Sequence, residues 1–326
     1  MVRHWLKKSV LVSVGLITAA SCAAQAQEYP SRAIRIVTPI ATGGMTDIVS
    51  RVMAAKLAER LGQPTVVENR AGAGGSIGAE TVVRAAPDGY TLLFAYPGPI
   101  VVNPSLFKSL SYDPERDLAP VSLLGNYPMV LAVNPSVKAQ TVAELIELAR
   151  RTPQQLTYGS AGNASTSHLA MELLRREAGI EMTHVPYKGA APAMTDLIGG
   201  RIQLVFDSVQ LVMPQHQAGR LRALAVSSRE RSPTVPELPG MGESGLRNVD
   251  VMGWFAIFVP AATPRPIIDR LAREFNAIVK DPAIVKDLLG RGIAAQGGSP
   301  EALGALVRHE RQMWHKVVTQ AGIQAD

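Results

Sequence analysis

The sequence has 326 residues, 47% of them hydrophobic and 18% charged. That balance excludes a disordered chain and supplies core for one large or two medium domains. The formal charge of +6 is diffuse, aromatics make up 5%, and no Lys/Arg run exceeds a pair, so no nucleic-acid-binding pattern is present.

Arg3, Lys7 and Lys8 precede an apolar run from Val10 to Ala20, and Ala24-Gln25-Ala26 follows. This predicts a secretory signal peptide cleaved after Ala26. Lipoprotein processing at Cys22 is the rival reading. Cleavage after Ala26 lowers the charge from +6 to +3 and removes the sole cysteine, so the mature chain has no disulfide or thiol chemistry.

Ile34, Ile36 and Val37 open a buried β-strand. Gly43-Gly44 breaks it, Thr46 and Asp47 offer capping chemistry, and Val49, Val52, Met53, Leu57 and Leu61 recur at helical spacing up to a stop at Gly62. A strand–glycine turn–helix junction aims free N–H groups and a helix dipole at one point, which suits an anion. Next come a strand at 64–68, a glycine loop at 69–78, a helix at 79–86, a turn at 87–89 and a strand at 90–95. Strands and helices alternating at this spacing predict βαβ units and a parallel sheet.

A polar connection at 112–120 leads to a strand at 127–133 and an amphipathic helix at 142–150. A strand ending at Ser160 then enters the polar turn Ser160-Ala-Gly-Asn-Ala-Ser-Thr-Ser-His168, with a helix at 169–178. This repeats the opening junction, so two βα units each carry an anion-ready turn. Strands follow at 182–187, 204–206, 221–226 and 251–259, with helices at 190–198, 267–280 and 300–320. The domain reading is 27–125 with 253–326 as one discontinuous α/β domain and 126–252 as the second, with crossings near Asn126 and Gly253. A cleft between two such domains is a usual ligand site.

Gly74-Gly-Ser76-Ile-Gly78 matches G-x-S-x-G, so a secreted ester hydrolase using Ser76 is the competing class. About seven loop residues separate Val67 from Ser76, whereas an elbow needs the strand to run into the serine. No histidine is followed by glycine. The glycines at 72 and 74 lack a third at 77, where Ile stands, so no dinucleotide pattern forms. The histidines show no metal-ligand spacing, and no cofactor or metal is expected. His168 reads as structural. Asp207, at the end of an apolar strand, suits either a functional residue or a cap. Lys188 faces an anion or solvent.

Six segments together resemble the extracytoplasmic receptors of tripartite tricarboxylate transporters, the Bug family. They are Gly-Gly-Met-Thr-Asp47, Val-Glu-Asn-Arg-Ala-Gly-Ala-Gly-Gly-Ser-Ile-Gly78, Ala-Pro-Asp-Gly-Tyr90, Tyr-Gly-Ser-Ala-Gly-Asn163, His-Val-Pro-Tyr-Lys-Gly189 and Gly-Gly-Arg-Ile-Gln-Leu-Val-Phe-Asp207. The resemblance covers the mature chain. It implies an α/β type II periplasmic-binding fold: two α/β domains around a ligand cleft with a two-strand hinge, closing on a small organic carboxylate without catalysis. It implies a periplasmic monomer serving the membrane subunits of a tripartite transporter or a sensor. One implied wall is Thr42, Gly43, Gly44, Met45, Thr46, Asp47, Gly75, Ser76 and Tyr96. The other is Ser160, Ala161, Gly162, Asn163, Ser165, Thr166 and Asp207.

The sequence departs from the family pattern at two places. The first turn is Thr42-Gly-Gly-Met45 where the family usually has Pro-Gly-Gly-Ser. Tyr96-Pro97-Gly98-Pro99 stands where small hydroxyl residues are usual. Both changes remove donors and add apolar bulk, which predicts a ligand with one well-held carboxylate and an apolar, even aromatic, body. On that reading Tyr96→Thr shifts preference towards smaller diacids, and an unchanged preference refutes it.

Overall fold

The computed structural model describes residues 29–163 and 165–323. The expected signal peptide and Cys22 lie outside the described residues.

β1 (Ile34–Thr38) is followed by α1 (Met45–Leu61), β2 (Thr65–Asn69), α2 (Ser76–Val83) and β3 (Thr91–Ala95). Ile34, Ile36 and Val37 are buried, as are Val49, Met53 and Leu57 of α1, which fall four residues apart on one face. α1 stops at Gly62, whose φ of 65° is the left-handed cap that glycine adopts without steric cost. β1 pairs in parallel with β2 and β3, as the alternation predicts.

The next segment differs from expectation. A π-helical turn (Gly98–Val102) runs into α3 (Asn103–Leu106), then α4 (Pro114–Asp117) and β4 (Leu118–Val133). β4 begins nine residues before the predicted strand start. Pro120 is accommodated because the pairing with β9 shifts register between Pro120 and Ser122.

α5 (Val142–Arg151), β5 (Thr157–Ser160), α6 (Thr166–Ala178), β6 (Thr183–Pro186), α7 (Ala190–Ile198), β7 (Leu204–Ser208), α8 (Val209–Gln217) and β8 (Arg222–Val226) follow. β9 (Met252–Pro260), α9 (Arg265–Ile278), α10 (Pro282–Gly290), β10 (Ala294–Ala295) and α11 (Pro300–Ala321) complete the described chain. α8, α10 and β10 were not evident from the sequence pattern.

The strands form one mixed sheet in the order β2-β1-β3-β9-β4-β7-β5-β6. The expectation of a parallel sheet holds at its two ends. Its centre is antiparallel, because β9 returns from the far end of the chain between β3 and β4. β4 is the shared strand: Leu118–Pro128 pairs with β9, and Met129–Val133 pairs with β7 and β8. α9 packs on α1 and β4, and α11 on β4 and the π-helical turn.

Candidate functional site

A cavity of about 880 Å³ lies beyond the C-terminal ends of β1, β3 and β5, with the glycine loop, the π-helical turn, α3, β4 and β7 also contributing to its lining. Open α/β sheets place ligands at these strand ends.

The glycine loop forms one side, with Ala73 and Gly74 in the lining. Gly72, Gly74 and Gly75 have φ of 129°, 60° and 93°, so the loop needs glycine to fold back on itself. Two side chains hold it. The Asn103 amide donates to Gly74 O at 3.0 Å and to Ser76 Oγ at 2.9 Å. Tyr96 Oη donates to Gly74 O at 3.0 Å. A Cβ on Gly75 would stand 2.6 Å from Tyr96 Oη, and one on Gly98 would stand 2.6 Å from Tyr96 Cε2. Tyr96 therefore lies wedged between two glycines, and burial pushes its phenol up to about 12. Tyr96 is thus a strut as well as bulk.

The polar turn after β5 forms the opposite side. Ala161, Asn163, Ser165, Thr166 and Ser167 line the cavity. Much of the turn's polarity is spent on itself. Gly162 N donates to Ser160 Oγ at 3.2 Å, and Ala161 N to Ser167 Oγ at 3.0 Å. Ser165 caps α6 by accepting from His168 N and donates to Gly162 O at 2.7 Å. What α6 presents is its first turn, where the N–H groups of Thr166 and Ser167 have no carbonyl four residues back in the helix. Behind the turn, Ser160 Oγ lies 2.7 Å from His184 Nε2. The His184 ring stacks on His168 with centroids 3.9 Å apart. Burial lowers both imidazoles to about 4.

The first turn is arranged differently from the sequence expectation. Ile40 lines the cavity, whereas Thr42, Gly43, Gly44, Met45, Thr46 and Asp47 are outside its lining. Thr42, Gly43 and Gly44 are exposed. The buried Asp47 carboxylate accepts from Gly43 N at 3.0 Å, from Asn69 Nδ2 at 2.9 Å and from Arg51 at 3.0 Å. Arg51 and Gly43 hold its pKa down at about 2. Asp47 thus uses the Gly43 N–H that an anion would have taken. Gly44, with no side-chain bond, is the helix cap rather than Thr46.

Asp207, at the end of β7, faces the cavity. Its Oδ1 accepts from Ser208 N at 2.7 Å, and burial raises its pKa. Lys188 is exposed. Gly75, Ser76, Ser160 and Gly162 are outside the cavity lining.

The family model for the tripartite tricarboxylate transporter family receptor matches residues 49–323. The chain belongs to this receptor family. Protein BugT of Bordetella pertussis is 36% identical over 317 residues, covering 96% of this chain and 97% of BugT. The R. palustris protein Rpa4515, solved with adipate, is 36% identical with a TM-score of 0.78 over 91% of this chain and 99% of that one. The periplasmic binding protein BugD is 35% identical with a TM-score of 0.74, over 91% of this chain and all of BugD.

The receptor's cavity contains residues that sequence reasoning missed. Asn103, Val102, Leu106 and Phe107 come from the π-helical turn, α3 and the residue that follows. Tyr127 and Met129 come from β4, and Phe206 from β7. Pro99 and Pro104 disguise the first group as loop. The alternation of apolar and polar residues in β4 is too weak to show which residues face a ligand. Ser76 is no nucleophile elbow. It is buried, opens α2 after a 3₁₀ turn and accepts from Asn103.

Proposed function

We propose that this receptor captures a small organic carboxylate with an apolar body for a tripartite membrane transporter, and that it performs no catalysis. The observation that carries this is the lining of the cavity. The donors are the N–H groups of the first turn of α6 and the hydroxyl of Thr166, and the floor is Ile40, Val102, Leu106, Phe107, Met129 and Phe206. Such a surface binds an anionic head and an apolar tail. A helix N-terminus contributes about 0.3–1 kcal/mol, and each hydrogen bond to a carboxylate about 1.5–3 kcal/mol. A few of these, after ordering costs, reach the roughly −8 kcal/mol of micromolar binding.

The rest of the reading follows from that role. Residues 27–125 with 253–326 form one lobe and 126–252 the other, hinged where β4 and β9 cross near Asn126 and Gly253. Closure about that hinge buries the ligand and presents a closed surface to the membrane subunits. The protein is exported after cleavage at Ala26 and acts as a monomer. Among the described residues no helix is long and apolar enough to cross a membrane.

A thermal-shift screen of the mature, refolded chain against aliphatic and aromatic mono-, di- and tricarboxylates tests this. Ligand at about 100 times its Kd stabilises by about 2.7 kcal/mol, a midpoint rise of several degrees. No shift with any carboxylate refutes the proposal.

A further inference from the structure

A second cavity, of about 380 Å³, lies on the other face of the β4–β9 pair. Successive residues of a strand point to opposite faces. Tyr127 and Met129 of β4 line the first cavity, whereas Asn126 lines the second. Trp254, the cross-strand partner of Asn126, lines the second with it, and so does Met252. The two cavities share no lining residue.

Glu310 of α11 lines this second cavity, and it is 8% exposed. Its carboxyl accepts from Trp254 Nε1 at 2.9 Å, a neutral donor, and makes no ion pair among the described residues. A carboxylate taken out of water without a counter-ion is costly. Burial raises this one to about 7, and Asp250, which lines the same cavity, pushes in the same direction. Two basic side chains, Arg229 and His309, stand exposed at the rim. Neither pairs with Glu310 or Asp250 among the described residues, and Arg229 Nε is taken by Arg247 O at 3.1 Å. Met252, Leu306 and Met313 give the rest of the lining an apolar wall. An enclosed space with an apolar wall, a buried unpaired carboxyl and a second acid suits a ligand with one positive charge and a short hydrocarbon tail.

We infer that this cavity is a second binding site of the receptor, taking a small alkylammonium whose charge lies against Glu310 and whose tail lies along Met252, Leu306 and Met313. The site is separate from the carboxylate cavity and stands whether or not that reading holds.

Tryptophan fluorescence reads it directly. Beyond residue 26 the tryptophans are Trp254, in the lining, and Trp314, one helical turn after Glu310. The refolded mature chain is titrated at pH 8.5, where the Glu310 carboxyl is charged, with n-butylammonium and with n-butanol as the neutral counterpart. The expected result is a saturable change with butylammonium at a Kd of about 1 mM, the scale for so small a ligand, and at least tenfold weaker binding of butanol. Glu310→Gln keeps an acceptor for Trp254 and removes the charge, so it should weaken butylammonium at least tenfold. Asp250→Asn, at an exposed position, keeps an acceptor for Arg229 N and should weaken it about threefold.

No saturable response to butylammonium overturns the inference, as does equal binding of butanol. Undiminished affinity in Glu310→Gln overturns it too. The comparison of amine with alcohol in the unmodified chain decides the matter even if a variant fails to fold. None of these outcomes bears on carboxylate capture, which the thermal-shift screen tests on its own.

Discussion

The contact between Gly75 and Tyr96 gives a quantitative test of how the glycine loop is built. Alanine at Gly75 must adopt φ near 93°, which costs an L-residue about 1–2 kcal/mol. Its Cβ would also lie 2.6 Å from Tyr96 Oη, well inside van der Waals contact. The ring cannot slip sideways, because it already lies against Gly98. Relief requires breaking the Tyr96–Gly74 hydrogen bond, about another 1 kcal/mol. Gly75→Ala is therefore expected to destabilise by about 3 kcal/mol. Tyr96→Phe alone is expected to cost less than about 1 kcal/mol, because Gly74 O keeps its bond from Asn103 at 3.0 Å. In the double variant the oxygen is gone and the nearest ring atom stands at 3.2 Å, leaving mainly the backbone cost. The double-mutant cycle, read by urea denaturation with constant m-values, should show the double variant more stable than the sum of the singles by about 1–2 kcal/mol. Effects that add to within about 0.5 kcal/mol would refute the strut role given to Tyr96.

Three further outcomes follow from buried charges. Asp47→Ala removes the acceptor of Gly43 N and one of the two acceptors of the Asn69 amide, which keeps Ile40 O at 3.1 Å, and should destabilise by about 1–2 kcal/mol in denaturant melts. The carboxylate's own contribution, with its pKa lowered to about 2, is present above about pH 4 and is lost as pH falls through 2. The stacked His168–His184 pair behaves differently. With both lowered from 6.5 to about 4, the unfolded chain binds more protons between those values, so stability falls as pH drops from 6.5 to 4. The first proton should cost roughly 3 kcal/mol, and His168→Phe should flatten that slope; an unaltered slope would count against the assignment. Glu310 has the opposite sign. It is buried, accepts from Trp254 Nε1 at 2.9 Å, and burial raises it to about 7, so its protonated form favours the native state and stability is lost as pH rises from 4.5 through 7. Glu310→Gln should stabilise by about 1–3 kcal/mol at pH 8 and change little at pH 5.

The sequence made the strand–turn–helix junctions legible because glycine and hydroxyl residues punctuate strong apolar periodicity. Gly62 as the stop of α1 and Asp207 at the end of β7 could be placed from local chemistry alone. Of the wall residues that the family resemblance implies, Tyr96, Ala161 and Thr166 lie in the cavity lining at those strand ends. The site was not legible where long-range contacts decide. Asn103 reaches 27 residues back to Ser76, and no local pattern encodes that. Tyr127 lies over Gly253, where a Cβ would stand 2.2 Å from its ring; that pairing follows from the antiparallel registry of β4 and β9. In the first turn the Asp47 carboxylate accepts from Gly43 N, an arrangement that the glycines alone do not reveal.

The central claim is that the cavity beside Ala161 holds a small organic carboxylate. Ala161 lines it, and phenylalanine there would fill the space beside the first turn of α6. The most direct measurement is the dissociation constant of the best carboxylate for the refolded chain and for Ala161→Phe, with thermal midpoints recorded for both. The account predicts roughly micromolar binding by the unmodified chain and at least a hundredfold loss in a variant that melts at about the same temperature. Undiminished affinity in that variant would place the ligand elsewhere and contradict the account.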